Sequence, residues 1–413
     1  MVVSVIFALL FSLPISPPDS VALSDLGVEK ALQIAYEHNP KINQLTHQIE
    51  AQRQQETLGL GIRNPEISYF REGIGEGTFS EQRWSVSQQL DFPLTSYYRY
   101  KSEQATTHSL ELQLEALKLQ VKRQVKSAYT TLAYAIRQDN LAQERVELFE
   151  SLNKAARARA DLGESSGIDA MQANLQLREA QNSLELADNQ IMEARYDLFQ
   201  TIGLDPEAQT YDISFPDTLQ YVEINVTQQE ILQRLESHPQ LKQINREQRA
   251  AAYLTKAAKS TYFPDLSVSY YRQDFGGNYD FYGFEVGVSI PLWFGANTSK
   301  RVKQAQAQYR TVGWKFEDNY LLIKKQAEQA WHGYETSRTN IIRFRENIRD
   351  ESIELVNMTQ RGYRMGELDL LTLLEAQRTY LRTQEAYYQT LRNYYLRIIE
   401  LEQYLQTDII FNE

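Results

Sequence analysis

The chain repeats one pattern of residues at an interval of about 200 positions, and this duplication restricts the folds that it can adopt. Three prolines recur at intervals of 198 or 199 residues, and a Gly-Glu pair recurs at 203. The matched positions are Pro40 with Pro239, Pro65 with Pro264, Pro93 with Pro291, and Gly163 with Gly366. Chance matches would scatter instead of keeping nearly one offset. The sequence therefore predicts two copies of one structural unit, at 23–222 and 223–413.

Each copy changes from helical to strand periodicity at the same place. Thr227 and Glu230 have the spacing of a capping box, which predicts a helix start in the second copy. Apolar residues then alternate with small or polar ones, as in a strand with one exposed face. The residues that share the apolar face are Tyr282, Phe284, Val286, Val288 and Ile290. Two β-hairpins are expected, at about 65–93 and about 264–291, with tips at GIGEGT and GGNYD.

A helical pattern follows each hairpin and continues for an unusual length. Neither proline nor glycine occurs from Glu103 to Asp161, and alanine recurs in heptads from Ala173 onward. Long helix–turn–helix pairs are therefore predicted at about 101–203 and about 298–405. A helix of roughly sixty residues would reach roughly 90 Å. We expect Gly163 and Gly366 to end the first helix of each pair with positive φ.

The composition excludes several classes of function. The chain has no cysteine, so it can form neither a disulfide nor a thiolate metal site. Its net charge of −11 argues against a nucleic-acid partner, because phosphate backbones bind basic surfaces. The five histidines are scattered, and none lies at ligand spacing from carboxylates. We therefore predict no metal site, no cofactor and no enzymatic activity.

The first residues have the pattern of an export signal. Residues from Val2 to Leu13 are mostly apolar, and small residues precede Leu23, although no lysine or arginine comes before the apolar stretch. This pattern predicts a signal peptide at 1–22, and the alternative is a buried N-terminal strand or helix. No later apolar run approaches the ~20 residues that a membrane-spanning helix needs.

The hairpins indicate a membrane location for the strands. Isolated two-stranded hairpins are marginally stable in water, whereas strands of about ten residues with one apolar face suit a lipid bilayer. Four strands are too few to close a membrane barrel, since the smallest have about eight. Three chains would pool twelve strands, so this interpretation requires an oligomer. The alternative is a periplasmic coiled-coil scaffold without a pore.

The duplicated order of helices, hairpin and long helix–turn–helix resembles the TolC-like outer-membrane efflux family. The motif Gly-x5-Asp-x3-Ala at the long turn is present as Gly163, Asp169 and Ala173. The stretch WSVSQQLDFP is most similar to the heavy-metal-efflux branch. The resemblance implies a mainly α fold with membrane β-structure: a trimeric twelve-stranded β-barrel, four strands per chain, continued by a long periplasmic α-helical barrel. It also implies the outer membrane of a Gram-negative bacterium as the location.

The resemblance implies a passive duct rather than a pump. The chain would be the outer-membrane exit of a tripartite efflux system that exports small molecules or metal ions. Its partners would be two further copies, a periplasmic adaptor of the membrane fusion class, an inner-membrane pump of the RND type, and outer-membrane lipid. The alternative within the same fold is an exit duct for type I protein secretion.

The resemblance also assigns candidate functional residues. Relatives narrow the periplasmic mouth with acidic or tyrosine side chains, and the gate residues expected here are Tyr363, Thr372, Glu375 and Asp169. Leu368 stands where relatives can place a basic residue that links to Asp169, so that link is expected to be missing or rebuilt. The turns that would contact the adaptor contain Gly163, Glu164, Gly366 and Glu367. The side chains expected to face lipid are Phe284, Val286, Val288 and Ile290.

Overall fold

The computed structural model describes residues 26–73, 80–163, 167–206, 219–276 and 280–411. The predicted signal peptide at 1–22, most of both hairpin tips and Glu164 lie outside these residues. The chain divides into two compact units, Met1–Asn39 with Thr131–Leu219, and Pro40–Thr130 with Gln220–Glu413. Within the described ranges, no helix is both long and apolar enough to cross a membrane.

Both halves of the chain form the same series of elements. The first half contains α1 (Val28–His38), α2 (Pro40–Leu58), β1 (Glu66–Glu72), β2 (Glu81–Leu90), α3 (Pro93–Asp161) and α4 (Gly167–Ile202). The second contains α5 (Gln228–Arg234), a 3₁₀ turn (Leu235–Ser237), α6 (Pro239–Ser260), β3 (Asp265–Asp274), β4 (Asp280–Ser289), α7 (Thr298–Arg343), a π turn (Phe344–Ile348), α8 (Arg349–Met365) and α9 (Leu370–Leu405).

Two local features of these elements differ from the sequence-based expectation. Helix α3 begins at Pro93 rather than near residue 101, because a first-turn proline gives up an N–H that has no helical partner anyway. The π turn between α7 and α8 adds a local change of helical register that apolar periodicity does not reveal. The capping box of Thr227 and Glu230 is present and starts α5, as predicted.

The duplication extends to the helix ends. Asn39 and His238 are both buried and occupy equivalent positions just before the first proline of α2 and α6. Gly203 and Gln406, 203 residues apart, both end a helix in the left-handed region, with φ of 84° and 55°. A Cβ at Gly203 would lie 2.6 Å from the carbonyl oxygen of His38, so only glycine fits there. The second copy accepts glutamine at the equivalent position.

The alanine seam predicted in α4 is buried, and α9 has a buried seam at matching positions. In α4 the fully or nearly fully buried alanines are Ala173, Ala180, Ala187 and Ala194. In α9 the buried residues include Ala376, Tyr387, Leu391, Tyr394, Ile398 and Leu405. Small residues in the first seam allow close packing of helix backbones, whereas the second seam buries rings, whose hydroxyl groups require hydrogen-bond partners.

In the larger unit the helices that flank the sheet pack in the order α2, α3, α6, α7. Gln52 on α2 donates a hydrogen bond to Glu103 on α3 at 2.7 Å, and the Ser102 hydroxyl donates to the Ala250 carbonyl on α6 at 2.9 Å. Lys315 on α7 pairs with Glu247 on α6 at 2.8 Å. The strands have the order β1, β2, β3, β4. The strands and the helices therefore follow the same order, because β1 directly follows α2, β2 precedes α3, β3 follows α6 and β4 precedes α7 in the chain.

An irregular segment, the strap (residues 220–227), is held against α7 and α9 by aromatic side chains. Every second carbonyl group of the strap accepts a hydrogen bond from a ring on one of these helices. On α9, Tyr395 donates to the Gln220 carbonyl at 2.7 Å and Tyr394 donates to the Val222 carbonyl at 2.8 Å. On α7, Tyr334 donates to the Ile224 carbonyl and Trp331 donates to the Val226 carbonyl at 3.4 Å. The alternation is that of an extended chain, in which every second carbonyl points to the same side. The guanidinium group of Arg345, in the π turn, lies 4.6 Å from the ring centre of Tyr221 in the strap.

A buried ion cluster fixes the last described residues to α3. The Lys126 ammonium group, on a side chain only 2% exposed, donates to Glu402 and Asp408 at 2.7 Å each and to the Ile410 carbonyl at 3.1 Å. Glu402 also accepts the backbone N–H groups of Ile409 and Ile410. A buried charge is tolerated when it is paired and hydrogen-bonded in this way. The cluster therefore holds the segment after α9 in place.

Candidate functional site: the sheet face and the two helical turns

The four strands form one antiparallel sheet whose register aligns the apolar residues of neighbouring strands. Val286 on β4 lies opposite Val268 on β3, and Val288 lies opposite Leu266. Leu266 in turn lies opposite Leu90 on β2. Because side chains alternate between the faces of a sheet, these residues share one face.

This apolar face is exposed in the single chain. The four side chains predicted to face lipid are 77% exposed at Phe284, 69% at Val286, 53% at Val288 and 67% at Ile290. Ile290 lies one residue beyond the end of β4. On the other strands the exposed apolar residues include Ile67, Tyr69, Trp84, Val86, Leu266, Val268 and Tyr270. A contiguous apolar surface of this extent marks an interface with another protein or with a membrane.

A charged pair that the sequence analysis missed lies on this face towards the hairpin tip. Arg272 lies opposite Trp84 on β2 and opposite Tyr282 on β4. Its Nε atom lies 2.9 Å from both carboxylate oxygens of Asp280, and its guanidinium group lies 5.8 Å from the Tyr282 ring centre. The rings of Tyr69 and Trp84 lie nearby in a tilted arrangement, with ring centres 4.7 Å apart. The strand alternation already places Arg272 on the face of Tyr270, so the sequence carried the signal.

The opposite face of the sheet is polar. It carries Glu285 and a series of serines on all four strands, which are Ser68, Ser85, Ser87, Ser267, Ser269 and Ser289. The hydroxyl groups of Ser68 and Ser85 lie 2.7 Å apart. An apolar face backed by a polar one is the arrangement of strands that separate lipid from an aqueous channel.

The second helical turn closes in the way that a glycine-terminated helix does. Gly366 has φ of 77° and ψ of 11°, so its predicted positive φ is confirmed. The N–H of Glu367 donates to the Gly362 carbonyl at 2.9 Å, and that of Gly366 donates to the Tyr363 carbonyl at 3.1 Å. These two bonds define a Schellman motif. The Leu368 side chain packs against Gly362, so this residue closes the turn by an apolar contact.

The start of α9 is capped by a residue that sequence reasoning did not single out. The Asp369 carboxylate accepts the backbone N–H of Thr372 at 2.9 Å. Hydrogen bonds from the Thr372 side chain and backbone lower the pKa of Asp369. Thr372, one of the expected gate residues, is exposed and contributes to this cap. Asp369 three residues before Thr372 has capping spacing, which would have identified it.

Glu375, the acidic residue expected at the gate, is exposed and paired within its own helix. Its carboxylate lies 3.2 Å from the guanidinium group of Arg378, one turn later. Tyr363, another expected gate residue, lies half-buried near the end of α8. The arrangement thus brings Tyr363, Thr372 and Glu375 to the same turn region, with a cation that the sequence analysis did not consider.

The first helical turn belongs to the other compact unit. Gly163 follows α3 with φ of 71°, as predicted. Asp169 lies half-buried in the first turn of α4. Both turns also carry large exposed apolar side chains, which are Leu162, Ile168, Met171 and Leu175 at the first and Met358, Met365 and Leu371 at the second. Each turn therefore offers an apolar surface beside its glycine.

No group of three or more histidine, aspartate or glutamate side chains among the described residues could hold a metal ion. The candidate functional surfaces of the described residues are the apolar sheet face and the two helical turns.

Comparison with known proteins shows the family to which this chain belongs. The sequence matches the outer membrane efflux protein family in two stretches, residues 31–204 and 231–406. The outer membrane efflux protein BepC of Brucella suis biovar 1 (strain 1330) is 24% identical over 259 residues, which are 61% of this chain and 54% of BepC. The chain therefore spans about half the length of this curated relative.

Solved structures of outer-membrane proteins have the same fold. The outer-membrane channel OprN superposes with a TM-score of 0.77 at 18% identity, covering 92% of this chain and 89% of OprN. VceC of Vibrio cholerae superposes with a TM-score of 0.75 at 15% identity, covering 92% and 95% of the two chains.

The fold is that of outer-membrane channel proteins, and the sequence match defines the family. The chain belongs to the outer membrane efflux protein family. The predicted resemblance to the TolC-like proteins and the predicted location, in the outer membrane and extending into the periplasm, are confirmed.

Proposed function

We propose that three copies of this chain form the exit duct of a tripartite efflux system. The observation that carries the proposal is the four-stranded sheet, which combines an exposed apolar face, a polar face and two edges without partners among the described residues. The family membership supplies the outward direction of transport.

The sheet edges favour a closed oligomeric barrel. In lipid, each unpaired backbone group costs several kcal/mol, so the outer edges of β1 and β4 need partners. Pairing β4 of one copy with β1 of the next would satisfy both edges. Three copies with four strands each would form a twelve-stranded barrel, with Val286 and its neighbours towards lipid and Glu285 towards the lumen.

The helices would continue the barrel into the periplasm. The same closure would bring α7 of one copy beside α2 of the next, because these helices lie at the two ends of the helical layer. The 69-residue α3 alone extends about 100 Å at the usual rise per residue. We propose that residues 1–22 are removed as a signal peptide, and that the repeats at 23–222 and 223–413 each supply one hairpin and one helix pair.

The two helical turns would form the periplasmic mouth and its contacts. Gly163, Glu164, Gly366 and Glu367 would contact a periplasmic adaptor, and the exposed apolar side chains beside both glycines support a protein partner there. Tyr363, Thr372, Glu375 and Asp169 would narrow the opening. The pump, of the RND type, would provide the energy and select the cargo, which would be small molecules or metal ions.

Reconstitution of the purified protein tests the proposal. We expect a heat-modifiable trimer in outer-membrane fractions and discrete conductance steps in planar lipid bilayers. Co-expression with a periplasmic adaptor and an inner-membrane pump of the RND type should restore resistance to small toxic compounds in an efflux-deficient host. A soluble monomer would contradict the duct and support a scaffold. Export of a polypeptide with the partners of a type I system, without resistance to small compounds, would support type I secretion instead.

A further inference from the structure

A groove of about 640 Å³ lies on the helical layer of the larger unit. Helix α6 forms its floor, with Lys242, Asn245 and Arg246 among the lining residues. Leu112 on α3 lines one side, and Phe316 on α7 lines the other. The residues that line the groove belong neither to the sheet face nor to the two helical turns. None of the roles proposed above uses them.

Three cations follow the exposed side of α6 within the groove. Lys242, Arg246 and Arg249 are spaced by four and three residues, so they form one stripe that rises about 10 Å along the helix. All three are exposed, and in the described part of the chain their side chains have neither a hydrogen bond nor an ion pair. Like charges one turn apart destabilise a helix, and a bound anion would offset this repulsion.

The first copy of the repeat lacks this stripe. With the offset of 199 between Pro40 and Pro239, the equivalents of Lys242, Arg246 and Arg249 are Asn43, His47 and Glu50. There the His47 ring lies 3.0 Å from the Glu50 carboxylate, so the equivalent surface carries no row of unpaired cations. The same backbone position thus supports a helix without the three cations, and its fold does not require them.

The other lining residues define the shape of the ligand. Leu112, Leu241, Phe316 and Tyr320 provide apolar contact on both sides of the stripe. Glu236 and Glu317 also line the groove and would repel negative charge outside the stripe. A compound with one acidic group and an apolar body would satisfy both conditions. Guanidinium groups bind carboxylate, sulfonate or phosphate oxygens in a bidentate manner.

The geometry points to a binding site for amphiphilic anions on α6, with Lys242, Arg246 and Arg249 as the groups that hold the acidic end. The site remains accessible in the proposed trimer, because α6 is flanked by α3 and α7 of its own chain and neighbouring copies would adjoin at α2 and α7. The inference depends on the groove alone and not on the transport function.

Calorimetric titration of the full-length protein in lipid nanodiscs tests this site. The probe is naphthalene-2-sulfonate, and the uncharged naphthalene-2-methanol serves as its comparison. We expect the triple variant K242Q/R246Q/R249Q to bind the sulfonate at least roughly tenfold more weakly, since each lost charged hydrogen bond costs about this factor or more. Binding of the alcohol should be weaker than that of the sulfonate and equal in both proteins.

A matched triple variant separates the site from general electrostatics. K300Q/R301Q/K303Q removes three exposed cations at the start of α7, outside the groove, and should leave sulfonate affinity unchanged. Equal weakening by both triples, or no binding by the native protein, would overturn the proposal. Should the first triple fail to fold, R246Q alone must weaken binding severalfold, and unchanged affinity in that variant would overturn the site as well.

Discussion

At the scale of single residues, the pair of Glu375 and Arg378 decides how a ring of carboxylates at the mouth would act. The two groups lie 3.2 Å apart on an exposed helix face. Exposed pairs of this kind contribute at most about 1 kcal/mol, but Arg378 still offsets the charge that a passing cation meets.

We therefore expect opposite effects from the two neutral variants. In planar bilayers, Glu375→Gln should reduce cation selectivity and block by divalent cations, whereas Arg378→Gln should increase both. The trimer should remain intact in each case. If both variants shift selectivity in the same direction, or neither does, the gate involves other residues.

His238 makes stability depend on pH. It lies buried at the start of α6, where its Nδ1 atom accepts the Gln240 N–H at 3.3 Å. Burial lowers the pKa of His238 to about 4, compared with about 6.5 in an unfolded chain. The folded state therefore binds fewer protons, so the stabilisation is fully present above about pH 6.5 and is lost as pH falls towards 4.

The shift corresponds to roughly 3 kcal/mol at its full extent. We expect the thermal unfolding midpoint to decrease as the pH is lowered from 7 to 4.5. The decrease should be smaller in His238→Asn, which gives the second copy the residue that the first copy has at the equivalent position, Asn39. An equal fall in the Asn variant would assign the effect to other groups.

Gly203 and Gly163 show two different reasons why a position requires glycine. Both have positive φ, at 84° and 71°, but only Gly203 faces a backbone carbonyl at 2.6 Å from an added Cβ, whereas nothing lies within 4 Å at Gly163. Gly163→Ala should cost about 1–2 kcal/mol from backbone strain. Gly203→Ala should cost clearly more, and equal losses in thermal stability would show that the contact with His38 relaxes.

At the scale of elements, the strap depends on hydroxyl groups of α9. Burial raises the pKa of Tyr395 to about 12, so its hydroxyl stays protonated and bonded to the strap well above the pH at which an exposed tyrosine ionises. Stability from this group is present below about pH 10 and is lost as pH rises through about 12.

Removal of that hydroxyl tests the strap. Tyr395→Phe leaves the Gln220 carbonyl without its donor and should cost about 1–3 kcal/mol at neutral pH. It should also weaken the alkaline transition, followed by absorbance of ionised tyrosine near 295 nm. Tyr309→Phe on α7, at an exposed ring, is the control and should leave the stability at neutral pH unchanged.

The strap also shows what periodicity cannot predict. Alternation and heptads indicated β4 and the seam from Ala173, because those patterns are written within single elements. The strap has no period of its own, and its order comes from Tyr334, Tyr394 and Tyr395 on helices more than a hundred residues away. The π turn is similarly invisible, since it needs one local change of register rather than a repeated residue type.

At the scale of the whole molecule, the sheet face distinguishes lipid from lumen. Val286→Arg should cost about 2–4 kcal/mol if that side chain lies near the bilayer midplane, and it should impair trimer assembly. Ser289→Arg, on the opposite face, should be tolerated. Trimer yield from outer membranes measures both. Normal assembly of the Val286 variant with failure of the Ser289 variant would reverse the assignment of faces.

The gate could be predicted from sequence only in part. The assignment of Glu375 to the gate is what the family resemblance implies, whereas the positive φ of both turn glycines was predicted from the sequence and is confirmed. The cap by Asp369 and the pairing of Glu375 with Arg378 are not part of the resemblance that assigned the gate residues, so the resemblance did not reveal them. Asp369 and Arg378 each stand three residues from their partner, and this spacing is visible in the sequence.

The unpaired edges of β1 and β4 have a consequence for the kinetics of biogenesis. A lone chain that entered the bilayer would leave two rows of backbone groups without partners, so insertion and association should proceed as one event. The rate of appearance of membrane-embedded protein should then rise more steeply than linearly with the concentration of folded precursor. Slow expression would favour a long-lived periplasmic intermediate, and the supply of chains, rather than the bilayer, would limit how fast new pores form.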